Sequence, residues 1–183
     1  MVYLKWTLQG LISIPMTIFA KLICWLLPFF VEEETRKLPK WLSWFDTPNS
    51  TSDGDPAHQQ RWPGTDKWST YKRRTAWYWR NSAYGFDRKV LGVEVYGSDT
   101  MTVDGVADAG RRPFKPGACM RKLYSADGKY KAWFYYFCIT WPFGLFPKRC
   151  IRGSFGWKLW CKEQQGHGVA MWTGMCNPFF NRE

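Results

Sequence analysis

The chain has 183 residues, room for one ordinary domain plus an anchor, and 19% of them are aromatic, with 13 Trp. The first 62 residues are neutral overall, so the net charge of +11 falls on the rest, where it favours anionic lipid, nucleic acid or an acidic protein as partner. Six Cys place Cys24 inside an apolar run and an odd five beyond it, with no C-x-x-C pair, which argues against a closed disulfide framework and for reduced, structural thiols.

Trp6 to Val31 is an apolar run broken by Gln9 and Lys21. As a helix it would reach about 39 Å at 1.5 Å per residue, past the roughly 30 Å hydrocarbon core of a bilayer. Residues 1–31 therefore read as a membrane-anchoring segment, with Trp6, Leu11, Ile14, Phe19, Trp25, Leu26, Phe29 and Phe30 as anchor side chains. Retention rather than cleavage is expected, because Ile18 stands where a signal-peptide site after Ala20 needs a small residue. Lys21 is costly in hydrocarbon but can snorkel toward the Val31 end. Pro15 and Pro28 interrupt regular helix, so a kinked span and a helix–break–helix segment dipping into one leaflet both fit, with a buried core helix as a third possibility that Trp6, Trp25 and Phe29-Phe30 disfavour. Arg36, Lys37 and Lys40, with the basic remainder, place the C-terminal part on the cytoplasmic side by the positive-inside tendency.

Residues 32–64 form a charged junction and an irregular loop. Trp41, Leu42, Trp44 and Phe45 suit a membrane surface or a core, and Asp46–Gly64 is rich in Asp, Ser, Gly and Pro. Asp53-Gly54-Asp55 is too short for a calcium loop and reads as a turn. Residues 65–183 form a basic, Trp-rich α+β domain. Its first element is a helix over Thr65–Asn81, capped by Thr65, with Trp68, Tyr71, Thr75 and Trp79 on one face. Lys67, Arg73, Arg74 and Arg80 fall away from that face, and Trp77 sits among them near the opposite side. A Trp so placed stacks on bases, sits among lipid headgroups or packs under a loop.

From Asp87 the period changes to two. Strands are expected at Lys89–Tyr96, Thr100–Val106, Cys119–Tyr124, Tyr130–Thr140, Arg149–Lys162 and Gly168–Thr173, separated by Gly-, Asp- and Pro-bearing turns. Short connections between strands imply an antiparallel β-meander, a curved sheet or small barrel. Trp133, Tyr135 and Phe137 alternate with Phe134, Tyr136 and Cys138, so Tyr130–Thr140 should be a central strand covered on both faces. The fold class is α+β: an N-terminal apolar helix, short helices, then the meander.

Signals for chemistry are weak. His58 and His167 are the histidines available as a base for a cysteine nucleophile, and Cys176 lies at the opposite end of a strand from His167. Zinc would need four clustered ligands, and the Cys are scattered. The phosphate-loop, zinc-protease and serine-hydrolase motifs are absent from the sequence. No cofactor, metal or small-molecule substrate is expected, and the chain does not read as an enzyme.

The runs LPKWLSWFDTPNS (Leu38–Ser50), WSTYKRRTAWYWRNSAYGFD (Trp68–Asp87) and GWKLW (Gly156–Trp160), with the Asp53–Asp55 turn, resemble an uncharacterised family of small tailed-bacteriophage proteins. This chain has Asn49-Ser50 where that family's pattern has Asp-Asn, and Ser82 where it has Pro. The resemblance implies a phage protein made in a bacterial host and carries no catalytic residue. The leading expectation is a membrane-associated accessory protein in the host inner membrane. It would bind a host component, to modify the envelope, exclude superinfection or block a defence. A nucleic-acid binder using Lys67, Arg73, Arg74, Trp77 and Arg80, or Arg111, Arg112 and Lys115, is one alternative. A virion component that enters the membrane during genome delivery is another.

Overall fold

The apolar N-terminus folds as helix α1 (Val2–Ile23), which carries Pro15 inside it. A turn then leads to a 3₁₀ helix at Leu27–Phe30, opened by Pro28. The helix runs on through Pro15, and the interruption falls at residues 24–26, just ahead of Pro28. The structure is a computed structural model and describes residues 1–110, 114–159 and 168–182. By their contacts these fall into two units: one holds Leu8–Leu91, the other Met1–Thr7 with Gly92–Glu183.

The Leu8–Leu91 unit is helical. Helix α2 (Pro56–Arg61) starts where the Asp55 carboxylate accepts the His58 amide at 2.8 Å. Helix α3 (Lys67–Arg80) starts at Asp66, whose carboxylate accepts the Trp68 and Ser69 amides, each at 3.0 Å. Asp66, not Thr65, is therefore the cap, because its carboxylate satisfies two orphan amides and its charge suits the helix N-terminus. Helix α4 (Tyr84–Lys89) follows the left-handed Ala83. Cys24, Leu27, Val31, Leu38, Leu42, Phe45, Trp77, Tyr78 and Phe86 are buried here. The face of α3 that turns inward is the one bearing Arg74, Trp77 and Tyr78, whereas Trp68 and Trp79 are exposed. Gly85 lies so close to the chain at Ser43–Trp44 that a Cβ would overlap the Ser43 carbonyl oxygen, and the next amide, Phe86, donates to the Trp44 carbonyl at 2.8 Å.

The second unit is built of strands: β1 (Val93–Val95), β2 (Thr100–Gly105), β3 (Gly117–Tyr124), β4 (Tyr130–Thr140), β5 (Arg149–Trp157), β6 (Gly168–Ala170) and β7 (Trp172–Asn181). All pairings are antiparallel. β2-β3-β4-β5-β7 form one sheet, and β1 pairs β6 in a second. Among the described residues the larger sheet ends in unpaired edges at β2 and β7, so the small-barrel alternative is not formed. β4 is its central strand, with Phe134, Tyr136 and Cys138 buried beside a buried Trp133. Arg121 is fully buried on β3 and donates to the carbonyls of Leu159 (2.6 Å) and Ala107 (2.8 Å). Cys119, Cys138 and Cys150 are buried, and Cys176 is exposed. Cys161, His167 and the end of the Arg149–Lys162 strand lie outside the described residues. The segment expected as Lys89–Tyr96 is divided between α4 and β1, and the one expected at Gly168–Thr173 between β6 and β7.

Two glycines test this packing. Gly156, at φ 102° in β5, would place a Cβ against the Trp133 carbonyl of β4. Gly85→Ala and Gly156→Ala should each cost about 1–3 kcal/mol or more, since backbone rather than a flexible side chain must give way. Gly168→Ala meets nothing within 4 Å and should stay within about 0.5 kcal/mol of the parent. Urea-unfolding midpoints of the three variants measure the difference.

Candidate functional site

The 22-residue helix α1 is long and apolar enough to cross a membrane by length and composition, with 17% of its most apolar stretch buried. Which side is buried matters more. Gly10, Ser13 and Ala20 are the buried residues of α1, and at 100° per residue they fall within about 80° of one another. The Ser13 hydroxyl donates to the Asp87 carboxylate at 2.8 Å. Leu11, Ile14, Ile18, Phe19 and Leu22, on the other side, are 50–68% exposed. Small and polar side chains thus face the protein and large apolar ones face away, the reverse of a soluble amphipathic helix.

The apolar surface continues past the helix. Trp25, Leu26, Phe29 and Phe30 are exposed, as are Trp41 and Trp44. Aromatic contacts hold part of this surface: Phe30 meets Trp41 edge-on at 5.8 Å, and Phe29 meets Tyr71 in a tilted pair at 5.3 Å. The Tyr71 hydroxyl donates to the Trp25 carbonyl at 3.0 Å. Lys21 is answered within its own unit, its ammonium lying 4.4 Å from the Trp79 ring centroid and donating to the Trp79 carbonyl at 3.3 Å. Of the eight anchor residues read from the sequence, seven lie on this surface. Trp6 does not. It stacks on Trp172 at 5.7 Å and meets Trp133 edge-on at 5.3 Å, while its indole donates to the Thr173 carbonyl.

The basic helix has a different character from the one its sequence suggests. Asp53, buried, accepts from Arg74 Nε at 3.1 Å and from Arg73 at 3.2 Å, with Arg36 at 4.0 Å. Arg74, also buried, pairs with Glu33 at 3.1 Å as well. Burial pulls the Arg74 guanidinium toward neutrality, but its hydrogen bonds to Glu33 and Asp53 outweigh this and hold it more firmly charged than usual. Arg73 donates further to the Gly64 carbonyl at 2.7 Å. Trp77 is buried against His58 of α2, ring centroids 5.0 Å apart, which is internal packing rather than a face offered to bases. Lys67 is exposed, and Arg80 lies half-exposed near Asp55 at 3.9 Å. Lys115 pairs with Asp108 at 3.0 Å, while Arg111 and Arg112 lie outside the described residues. Of the binding residues predicted on α3, Arg73 and Arg74 are thus brought together, but around an internal carboxylate. Asp53 was visible in the sequence only as part of an Asp-Gly-Asp turn.

His58 is buried, its Nε2 donating to the Arg73 carbonyl at 3.0 Å. Burial lowers its pKa below the ordinary histidine range, against the opposing effect of that hydrogen bond. Burial also pushes the Cys150 thiol up to about 12, with help from its neighbour Cys138, which leaves it a poor nucleophile. Among the described residues no group of three or more His, Cys, Asp or Glu is placed to hold a metal.

The family model that matches the chain is described as a family of unknown function (DUF7338) and covers residues 1–183. No curated protein matches, and no solved structure matches.

Asp53→Asn should destabilise the fold by about 3–5 kcal/mol, because it leaves a buried guanidinium short of its counter-charge. Arg80→Gln, at a half-exposed ion pair, should cost no more than about 1 kcal/mol in the same thermal-unfolding assay. His58 adds a pH dependence. Its contribution is fully present above the unfolded pKa of about 6.5 and is lost as pH falls toward the lower folded value. The melting temperature should therefore drop between about pH 7 and pH 5, and His58→Asn should flatten that slope.

Proposed function

We propose that this chain, which belongs to the DUF7338 family of unknown function, is a membrane-associated protein that works by binding. The inverted polarity of α1 carries this reading. Association inside a bilayer gains nothing from burying Leu against protein rather than lipid, so helices there turn small residues toward their neighbours. Gly10, Ser13 and Ala20 follow that rule, and the large residues left outside need an apolar surround. Exposed Trp25, Trp41 and Trp44 suit the headgroup boundary next to it.

The mode that fits best is insertion from one side. A helix covered by its own protein along one face, and followed by a break at Cys24–Leu26 and a 3₁₀ turn, suits one leaflet better than an unaccompanied crossing. Lys21 then rests on the Trp79 ring instead of lying alone in hydrocarbon. The resemblance to tailed-phage proteins makes the bacterial inner membrane the natural site, with the basic remainder on the cytoplasmic side and a host membrane component as partner. The nucleic-acid alternative is weakened at α3, since Arg73 and Arg74 are committed to Asp53 and Glu33.

Carbonate extraction tests the reading. The parent should stay with membranes at high pH and high salt and be released by detergent. Changing Leu11, Ile14, Ile18 and Leu22 to Gln should release it to the supernatant, since each forfeits about 1.5–3 kcal/mol of apolar transfer. A parent chain that stays monomeric in buffer without detergent would refute lipid as the cover of α1.

A further inference from the structure

The loop between β4 and β5, residues 141–148, carries side chains at its tip that stand exposed among the described residues. Phe143 is fully exposed, and Leu145 and Phe146 are exposed beside it. Phe143 also sits at φ 55°, ψ 17°, a left-handed conformation that a bulky side chain adopts at a cost. Strain and exposure fall on the same residue, and both project an aromatic ring into the surroundings.

Beneath this tip the loop is rigidly supported. The Trp141 ring stacks on Phe179 at 5.7 Å and meets Phe146 edge-on at 5.2 Å, and Phe146 meets Phe179 at 5.5 Å. The Trp141 indole donates to the Pro178 carbonyl at 2.8 Å. Arg182 ties down the far side, its guanidinium donating to the Pro147 carbonyl at 2.8 Å and its amide to the Lys148 carbonyl at 3.1 Å. Positive residues sit at this base: Arg182 donates to Pro147, Arg149 donates to the Phe179 carbonyl at 3.4 Å, and Lys148 precedes Arg149 in the chain, while the sequence has no Asp or Glu from Gly128 to Lys162. An apolar tip on a basic collar is complementary to a surface that is apolar beneath and negative above.

We infer that the β4–β5 loop is a second lipid-contacting element, which inserts Phe143 and Leu145 into the interface of an anionic bilayer while Lys148 and Arg149 lie at the level of the lipid phosphates. The inference deepens the membrane reading and rests on it for the presence of lipid, but it uses none of the α1 residues.

Site-directed nitroxide labelling of the full chain separates the two. In a background with Cys161→Ser and Cys176→Ser, labels are placed one at a time through Phe143→Cys, through Ile14→Cys on α1, and through Lys129→Cys at the exposed β3–β4 turn. The proteins are reconstituted in vesicles of phosphatidylethanolamine and phosphatidylglycerol. The label at 143 should lose access to a water-soluble nickel relaxant and gain access to oxygen, while the label at 129 stays aqueous. In vesicles of phosphatidylcholine alone the label at 143 should become shallower, and an unchanged depth there would overturn the anionic preference. A label at 143 as aqueous as that at 129, with 14 in lipid, overturns the loop proposal and leaves the α1 reading standing. The converse pattern sinks the α1 reading and keeps the loop. Protection of 143 in native membranes but not in pure lipid overturns the proposal in favour of a protein partner.

Discussion

A helix that packs one side against its own chain must find a home for the other, and α1 makes that choice in an unusual direction. Its neighbours receive Gly10, Ser13 and Ala20, side chains too small to bring much apolar area out of water. What they do allow is a close backbone approach and a hydrogen bond from Ser13 to Asp87. That bond satisfies a buried carboxylate and locates the helix by polar geometry instead of by apolar volume. The bulk of the hydrophobic surface is thus left for whatever surrounds the molecule. Under the proposed reading the surroundings stabilise α1, and the protein merely orients it.

Electrostatics inside the helical unit follows the opposite logic, with charge turned inward. Asp53 gathers Arg73 and Arg74, and Glu33 meets Arg74 from another stretch of chain. Paired in this way, the guanidiniums knit segments that have little regular structure of their own to the one substantial helix after α1. A buried ion pair adds little net stability over a well-packed apolar one, but it specifies which segments meet. The Asp-Gly-Asp turn is thereby a structural node: Asp53 pairs with the arginines, and the Asp55 carboxylate caps α2. The formal charge of the chain accordingly overstates what α3 can offer to an anionic partner.

Elements with strong periodicity were readable from sequence. The apolar helix, α3 and β4 are where the pattern places them, because length and spacing alone decide such segments. The inward side of α3 was not readable, since an aromatic stripe of Trp68, Tyr71 and Trp79 outweighs arginines on any hydropathy scale. Only the distant Asp53 and Glu33 make Arg74 a buried residue. The far end of β7 was hidden by Gly174, Asn177 and Pro178, which break strand periodicity and are tolerated because β7 is an edge. The lipid-like polarity of α1 required the structure, because composition shows how apolar a helix is and not which of its sides is covered. The β4–β5 tip escaped notice for a similar reason: Pro142, Gly144 and Pro147 announce a turn, and the apolar residues between them look like ordinary turn filler until their exposure is known.

Pro178 also bears on how this sheet meets other sheets. Pro178 has no amide hydrogen, and the next amide, Phe179, already donates to the Asn177 side chain at 2.9 Å. Two consecutive residues of β7 therefore offer no donor to an incoming strand, and the register shift between Cys150 and Arg152 on its neighbour distorts the same stretch. β2, at the other edge, has no such block among the described residues. Growth of the sheet by strand addition, whether into a dimer or into an aggregate, is thus directed to one edge, and two copies joined there would present their proline-bearing edges outward and stop.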